Sequence, residues 1–164
     1  MLAFRTRPAL AALALSCSLA TLAGCASGGG SATPKPYDPE ALTFAPSLGV
    51  DLSAMQKTPA GLYFQDLKVG EGSTAQRSST VTVRYVGYLA DGKVFDAATA
   101  DARYECRLGA GTVIRGWDLG IPGMKVGGLR RLVIRPSLGY RGQATGPIPA
   151  NSTLIFDIEL MDVH

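Results

Sequence analysis

The sequence predicts an α+β domain in which a curved antiparallel sheet of five strands wraps around one short helix. After residue 58 the chain consists of short segments in which apolar and polar residues alternate, which is typical of half-buried strands. Only residues 117–121 have the character of a helix. Because strands do not alternate with helices, parallel strands are not expected. The 20 glycines and 10 prolines indicate many turns.

The first half of this domain is expected to contain two long strands and a hairpin. Residues 62–69 form the first strand, which a glycine-rich turn at residues 70–72 ends. Residues 81–89 form the next strand, because apolar and polar side chains alternate along it. An Asp-Gly pair at residues 91–92 then marks a tight turn, and residues 94–96 follow it in extended form.

The second half supplies the remaining strands and the helix. A short strand is expected at residues 104–108, and the helix at residues 117–121 is ended by the Pro-Gly pair that follows it. Strands follow at residues 129–135 and 154–160. The inner face of the sheet is expected to pack on the helix, with Trp117, the single tryptophan of the chain, between them.

Charge and histidine content exclude several classes of function. The formal net charge is +3, and without Arg5 and Arg7, which lie in the apolar leader, the basic excess falls to one. Nucleic acid is therefore not an expected partner. A solvent-exposed strand face accounts for the adjacent Arg130 and Arg131. Because the only histidine is the last residue, His164, a catalytic or metal-ligating histidine is not expected.

The first 24 residues predict a lipoprotein signal peptide. Two arginines precede an apolar stretch, residues 8–22, that is too short for a comfortable membrane span. The stretch ends in Leu22-Ala23-Gly24-Cys25, which resembles the bacterial lipobox, where the cysteine thiol is acylated and becomes the first residue after cleavage. The alternative is an ordinary signal peptide with a chance cysteine. Acyl chains on Cys25 would anchor the protein to a membrane.

Residues 25–57 are expected to link this anchor to the domain. The part up to Pro39 is rich in Gly, Ser, Thr and Pro and predicts a flexible tether. Residues 40–57 are more apolar and predict a semi-ordered arm that packs on the domain, although the sequence does not indicate where. The domain itself is assigned to residues 58–164. Its single cysteine, Cys106, lies in a strand and is expected to be buried and inert.

A candidate site centres on Val113-Ile114-Arg115-Gly116-Trp117. Trp117 would form a flat apolar floor, and Val113 with Ile114 would form a wall. The backbone N–H of Ile114 would lie at the mouth of the helix and point into the cavity. The alternative is that Trp117 is an ordinary core residue.

Several further motifs, in their order and spacing from residue 58 to residue 163, resemble the FKBP-type peptidyl-prolyl cis-trans isomerases. They are Val83-Arg84-Tyr85-Val86-Gly87, Asp91-Gly92-Lys93-Val94-Phe95-Asp96, Leu108-Gly109, Val113-Ile114-Arg115-Gly116-Trp117, Gly120 with Met124 and Val126-Gly127, Ile148-Pro149, and Leu154-Ile155-Phe156-Asp157-Ile158-Glu159-Leu160.

The resemblance implies a pocket that needs no cofactor or metal. The residues implied to be catalytic are Tyr85, Phe95, Asp96, Ile114, Trp117 and Tyr140. Those implied to bind substrate are Tyr104, Val113, Ile148 and Phe156. Tyr104 stands where the family usually has phenylalanine, and the loops at residues 97–103 and 141–147 are slightly short. A plain core position for Tyr85 and Phe156, and a surface position for Tyr140, are the alternatives.

The resemblance also implies a function and its partners. The expected activity is peptidyl-prolyl cis-trans isomerisation of exported proteins, with proline-containing polypeptides as substrates and tacrolimus- or rapamycin-type macrolides as inhibitors. With an acylated Cys25, the protein is expected in a bacterial cell envelope, on the outer membrane, facing the periplasm or the cell surface. A module that grips proline-containing or apolar segments without turnover, as a chaperone or adhesin, is the alternative.

Overall fold

The computed structural model describes residues 35–99 and 102–164, so the predicted signal peptide and Cys25 lie outside the described residues. One α-helix, α1 (Arg115–Gly120), packs on an antiparallel sheet. The strands are β1 (Gln56–Lys57), β2 (Tyr63–Lys68), β3 (Thr80–Leu89), β4 (Val94–Ala98), β5 (Tyr104–Arg107), β6 (Leu129–Ile134) and β7 (Leu154–Val163). Short 3₁₀ helices lie at Pro39–Ala41, Pro46–Leu48, Leu52–Ala54 and Pro136–Leu138.

The antiparallel sheet and the short helix are confirmed, but the predicted number of strands is wrong. The described part of the chain contains seven strands rather than five. β1 has only two residues, which is too short to show any alternation. β4 has the sequence VFDAA, whose apolar and polar residues do not alternate, and it is a strand because its backbone pairs with β3.

The central strand β3 sets the shape of the sheet. The order is β1-β2-β6-β7-β3-β4, and β5 also pairs with β3. Along its whole length β3 pairs with β7 on one side. On the other side its first residues, from Thr80 to Val83, pair with β5, and its later residues, from Tyr85 to Tyr88, pair with β4. β4 and β5 thus share one edge of β3, and Arg84, which lies between their pairings, pairs with neither of them.

The main core lies between the concave face of the sheet and α1. Leu132 and Ile134 of β6 are fully buried there, as their alternation predicts, together with alternate residues of β7. The helix can approach β6 closely because Gly116 faces it. A Cβ at Gly116 would come within 2.6 Å of the Ile134 side chain.

The opposite face of the sheet carries a second core, which is where the predicted arm packs. Tyr63, Val133 and Ile155 point away from α1 and are buried under Leu48 and Met55 of the arm. The alternation of β6 and β7 makes this necessary, because Val133 and Ile155 would otherwise expose apolar side chains to water.

Ion pairs connect the arm to the sheet. The Glu40 carboxylate accepts hydrogen bonds from the Lys57 ammonium and, at 2.6 Å, from the Tyr63 hydroxyl. These bonds, the Lys57 one above all, lower the pKa of Glu40 to about 2. Asp38, at the end of the predicted tether, accepts a hydrogen bond from Arg135 Nη2 at 2.7 Å and is buried, so these last tether residues also pack on the domain. The arm is therefore held by charged groups at its start and by apolar side chains along its length.

The interpretation of Arg130 and Arg131 as a solvated strand face is wrong. Arg130 is only 7% exposed, and it donates to both carboxylate oxygens of Asp66 at 2.6 and 2.9 Å. Arg131 donates to both oxygens of Asp157 and to the backbone carbonyl of Leu48 in the arm. Both arginines are thus structural, one beside α1 and one under the arm.

Cys106 is buried in β5 as expected, and burial raises the pKa of its thiol to about 11. No helix within residues 35–99 and 102–164 is long and apolar enough to cross a membrane.

We expect the arm to contribute measurably to the stability of the domain. Replacing Leu48→Ala should lower the free energy of unfolding by about 2–3 kcal/mol, because it leaves a cavity above Val133 and Ile155. Urea denaturation of the full chain measures this value. The matched control is Leu67→Ala at an exposed position of β2, where the change should stay within about 0.5 kcal/mol. Equal, small effects of both substitutions would show that the arm packs too loosely to stabilise the sheet.

Candidate functional site

A pocket of about 370 Å³ opens where α1 meets β3, β4 and β7. Most of its lining side chains are aromatic or aliphatic. The lining residues are Tyr85, Phe95, Asp96, Tyr104, Gly111, Thr112, Val113, Ile114, Trp117, Tyr140 and Phe156. The structure therefore brings together nine of the ten pocket residues that the sequence predicts.

Trp117 lies at the floor of this pocket. It is 4% exposed, and three aromatic rings contact it edge to face. The centroid distances are 4.9 Å to Tyr85, 5.3 Å to Phe156 and 5.9 Å to Tyr104. The indole Nε1–H is buried and has no acceptor among the described residues. Ring packing, rather than a hydrogen bond, therefore holds the indole in place.

Ile114 immediately precedes α1 and has an extended backbone, with φ −61° and ψ 146°. Its carbonyl accepts a hydrogen bond from the Trp117 N–H at 2.9 Å. The Ile114 N–H donates to no acceptor within the described ranges. Because Ile114 lines the pocket, this N–H is available to a carbonyl of a bound molecule.

Tyr85 and Asp96 form a hydrogen-bonded pair at one side of the pocket. The Tyr85 hydroxyl donates to Asp96 Oδ2 at 2.7 Å, and the Ala97 N–H donates to Asp96 Oδ1 at 2.9 Å. Burial raises the pKa of Tyr85, and the hydrogen bond to Asp96 raises it further. The hydroxyl thus stays protonated at neutral pH, and the pair orients polar atoms rather than exchanging protons.

Tyr104 and Tyr140 lie at the mouth of the pocket, where they are 38% and 37% exposed. Burial of part of its ring raises the pKa of Tyr140, so its hydroxyl is a donor at neutral pH. Phe95 packs edge to face on Phe156, with centroids 5.4 Å apart, and completes the wall opposite the helix.

Ile148 is the predicted pocket residue that does not line the cavity. It is 4% exposed and packs in the main core. Its N–H donates to the Thr145 carbonyl at 3.0 Å, which closes a small turn. The predicted lipidation residue, Cys25, lies outside the described residues.

Sequence reasoning missed two residues of the pocket, Gly111 and Thr112. Both lie in the loop between β5 and α1, where the Gly-Ala-Gly turn at residues 109–111 was the only signal. No pattern of alternation applies to a loop, so neither residue could be assigned to the wall.

The chemistry available in the pocket is binding, orientation and exclusion of water. Within residues 35–99 and 102–164, no group of three or more His, Cys, Asp or Glu side chains could hold a metal ion. Of the carboxylates that the structure describes, only Asp96 lines the cavity, and both its oxygens accept hydrogen bonds from the protein.

Comparisons with known proteins agree with this geometry. The family model for FKBP-type peptidyl-prolyl cis-trans isomerases matches residues 71–161. FK506-binding protein 4 from Chaetomium thermophilum is 48% identical over 118 residues, which are 72% of this chain and 23% of that protein. FK506-binding protein 4 from Aspergillus fumigatus is 49% identical over 107 residues, 65% and 22% of the two chains. This chain therefore matches about a quarter of the length of these relatives.

Solved structures show the same fold. The crystal structure of AtFKBP13 has a TM-score of 0.63 at 39% identity, covering 67% of this chain and 98% of that one. The crystal structure of FkpA from Escherichia coli has a TM-score of 0.62 at 39% identity, covering 72% of this chain and 55% of that one.

We expect the pocket wall to depend on the absence of a side chain at Gly87 in β3. A Cβ there would lie 2.7 Å from the Phe95 ring and 2.9 Å from the Phe156 ring. Gly87→Ala should therefore displace both rings, lower the free energy of unfolding by about 1–3 kcal/mol and shift the fluorescence of Trp117. Gly142→Ala is the control, because a Cβ there meets nothing nearer than 3.7 Å. An unchanged emission spectrum in Gly87→Ala would show that the wall does not hold the indole.

Proposed function

Because the chain belongs to the FKBP-type peptidyl-prolyl cis-trans isomerase family, we propose that it accelerates rotation about X–Pro bonds in the pocket above Trp117. The observation that carries the proposal is the arrangement of this pocket. An unpaired backbone donor, Ile114 N–H, and a tyrosine hydroxyl border a floor and walls made of aromatic rings.

The reaction requires that a planar amide be twisted. The uncatalysed barrier is about 18–20 kcal/mol, because planarity preserves amide resonance. The planar amide is more dipolar than the twisted one, so water stabilises the planar ground state more than the twisted transition state. A pocket of rings that excludes water removes part of this ground-state stabilisation. Phe95, Trp117 and Phe156 supply such surroundings.

Two donors hold the substrate chain while the bond turns. The Ile114 N–H binds a carbonyl of the substrate, and the Tyr140 hydroxyl holds the chain at the mouth of the pocket. The proline ring lies on the Trp117 indole, between Phe95 and Phe156. Rotation of the carbonyl that precedes proline then needs no movement of the anchored ends.

No proton is transferred in this mechanism, and the Tyr85–Asp96 pair agrees with that. The Tyr85 hydroxyl donates to the Asp96 carboxylate, and because its pKa is raised by burial it keeps its proton at neutral pH. A rate gain of about 10⁴–10⁶ requires a reduction of the barrier by about 5.5–8 kcal/mol. Desolvation, anchoring and twisting of the substrate share this reduction.

The proposed substrates are proline-containing segments of exported proteins. The leader and Leu22-Ala23-Gly24-Cys25 support a lipoprotein that is anchored through Cys25 in a bacterial envelope, on the outer membrane. A solved isomerase from Pseudomonas syringae is among the similar structures, at 34% identity and a TM-score of 0.61. The names of the fungal relatives describe FK506 binding, so we propose that tacrolimus- or rapamycin-type macrolides occupy this pocket.

We expect Tyr140→Phe to lower kcat/KM for a proline peptide by about tenfold, because it removes one hydrogen bond to the bound chain. A protease-coupled assay measures the rate. Tyr88→Phe is the matched control, since Tyr88 lies on the same sheet but packs against the second core under the arm. Its kcat/KM should not change.

Two outcomes of this assay would contradict the proposal. In one, the wild-type chain does not exceed the spontaneous rate or is unaffected by a macrolide. In the other, Tyr140→Phe and Phe95→Ala abolish isomerisation, but both variants still suppress the aggregation of an unfolded client protein. The second result would favour the binding module that grips proline-containing segments.

The lipid anchor is tested separately. We expect Cys25→Ser to abolish incorporation of labelled palmitate and to release the protein from the membrane fraction, since acyl chains supply the anchoring free energy. Cys17→Ser, in the apolar leader, should leave both unchanged. A Cys25→Ser protein that still carries the label would disprove the assignment of the lipobox.

A further inference from the structure

We infer that a second cleft, on the arm side of the molecule, binds a phosphate group. This cleft has a volume of about 280 Å³, close to the lower end of the ~300–1,000 Å³ range of small-molecule sites. It shares no lining residue with the pocket above Trp117. Its lining residues are Lys35, Tyr37, Asp38, Arg135, Pro136, Ser137, Arg141, Gly142 and Asn151.

The cleft has an excess of positive charge. Lys35, Arg135 and Arg141 line it, against the single carboxylate of Asp38. Both Asp38 oxygens are already occupied, Oδ1 by Arg135 Nη2 at 2.7 Å and Oδ2 by the Lys35 N–H at 3.2 Å. Asp38 therefore offsets one cation. Among the described residues no carboxylate pairs with the Lys35 ammonium or the Arg141 guanidinium, so two positive charges face the cavity without a counter-charge.

The segments that carry these charges are fixed by hydrogen bonds. The Asp38 N–H donates to the Lys35 carbonyl at 2.8 Å, and the Thr153 hydroxyl donates to the Tyr37 carbonyl at 2.6 Å. On the other side, the Arg141 N–H donates to the Pro136 carbonyl at 2.8 Å and the Asn151 N–H to the Arg141 carbonyl at 2.9 Å. The cations therefore meet at the cleft because of the fold.

A phosphate group is the ligand that suits this set of donors. The guanidinium groups of Arg135 and Arg141 form forked hydrogen bonds to phosphate oxygens, and the Lys35 ammonium adds a point charge. Ser137 and Asn151 supply neutral donors at the same wall. A phosphate group offers more acceptor oxygens than a carboxylate, so it satisfies more of these donors at once. The phosphate belongs either to a soluble phosphate ester or to a phospholipid headgroup.

The test is calorimetric titration of the full chain with two probes, glycerol 3-phosphate and dihexanoylphosphatidylglycerol. We expect saturable binding of at least one probe, which weakens as ionic strength rises. Binding of glycerol 3-phosphate identifies a site for soluble esters, and binding of the lipid alone identifies a headgroup site. Arg141→Gln should weaken binding about tenfold, because it removes a charge-assisted hydrogen bond. Lys35→Gln, a second variant at another exposed residue, should also weaken binding of the probe.

Arg77→Gln is the control, since Arg77 is also exposed and basic but lies outside the cleft. Its affinity should equal that of the wild type. The inference is overturned if neither probe binds at millimolar concentrations, if acetate binds as tightly, or if Arg77→Gln weakens binding as much as Arg141→Gln. The titration does not use the isomerase assay, so its failure and the failure of the proposed function are distinguishable.

Discussion

The edge-to-face packing of Trp117 on Tyr85 and Phe156 is the interaction on which the rest of the structure depends. It joins α1 to the two longest strands, β3 and β7, and it forms the floor of the pocket at the same time. A six-residue helix is too short to be stable alone. Its position is set by the Trp117 ring, which packs against the Tyr85 and Phe156 rings on these two strands, and this packing also fixes the location of the Ile114 N–H.

The sheet has a second requirement, which comes from its own sequence. In β6, Leu132 and Ile134 face α1. Val133 of β6 and Ile155 of β7 face the opposite side of the sheet. A sheet with apolar residues on both faces must be covered on both. The helix covers one face, and the arm covers the other with Leu48 and Met55. The arm is thus an integral part of the folded domain, although the domain prediction began at residue 58.

The sequence predicted what depends on local pattern or on the resemblance, and little else. Alternation located β3, β6 and β7 to within a few residues, and the motifs brought nine of ten pocket residues together. Contacts distant in sequence were missed. Arg130 pairs with Asp66 across 64 positions, and Arg131 bonds to the Leu48 carbonyl across 83. Ile148 was misplaced because its position was inferred across a loop of altered length, where no periodicity constrains which side chain points inward.

The loop after the 3₁₀ helix at Pro136–Leu138 borders both cavities. Tyr140 lines the pocket above Trp117, and its neighbour Arg141 lines the cleft on the arm side. Arg141 has a left-handed backbone, with φ 58°, which a non-glycine residue adopts only when surrounding contacts impose it. Those contacts are the hydrogen bonds to Pro136 and Asn151. The edges of the two cavities therefore lie on consecutive residues of one hydrogen-bonded turn.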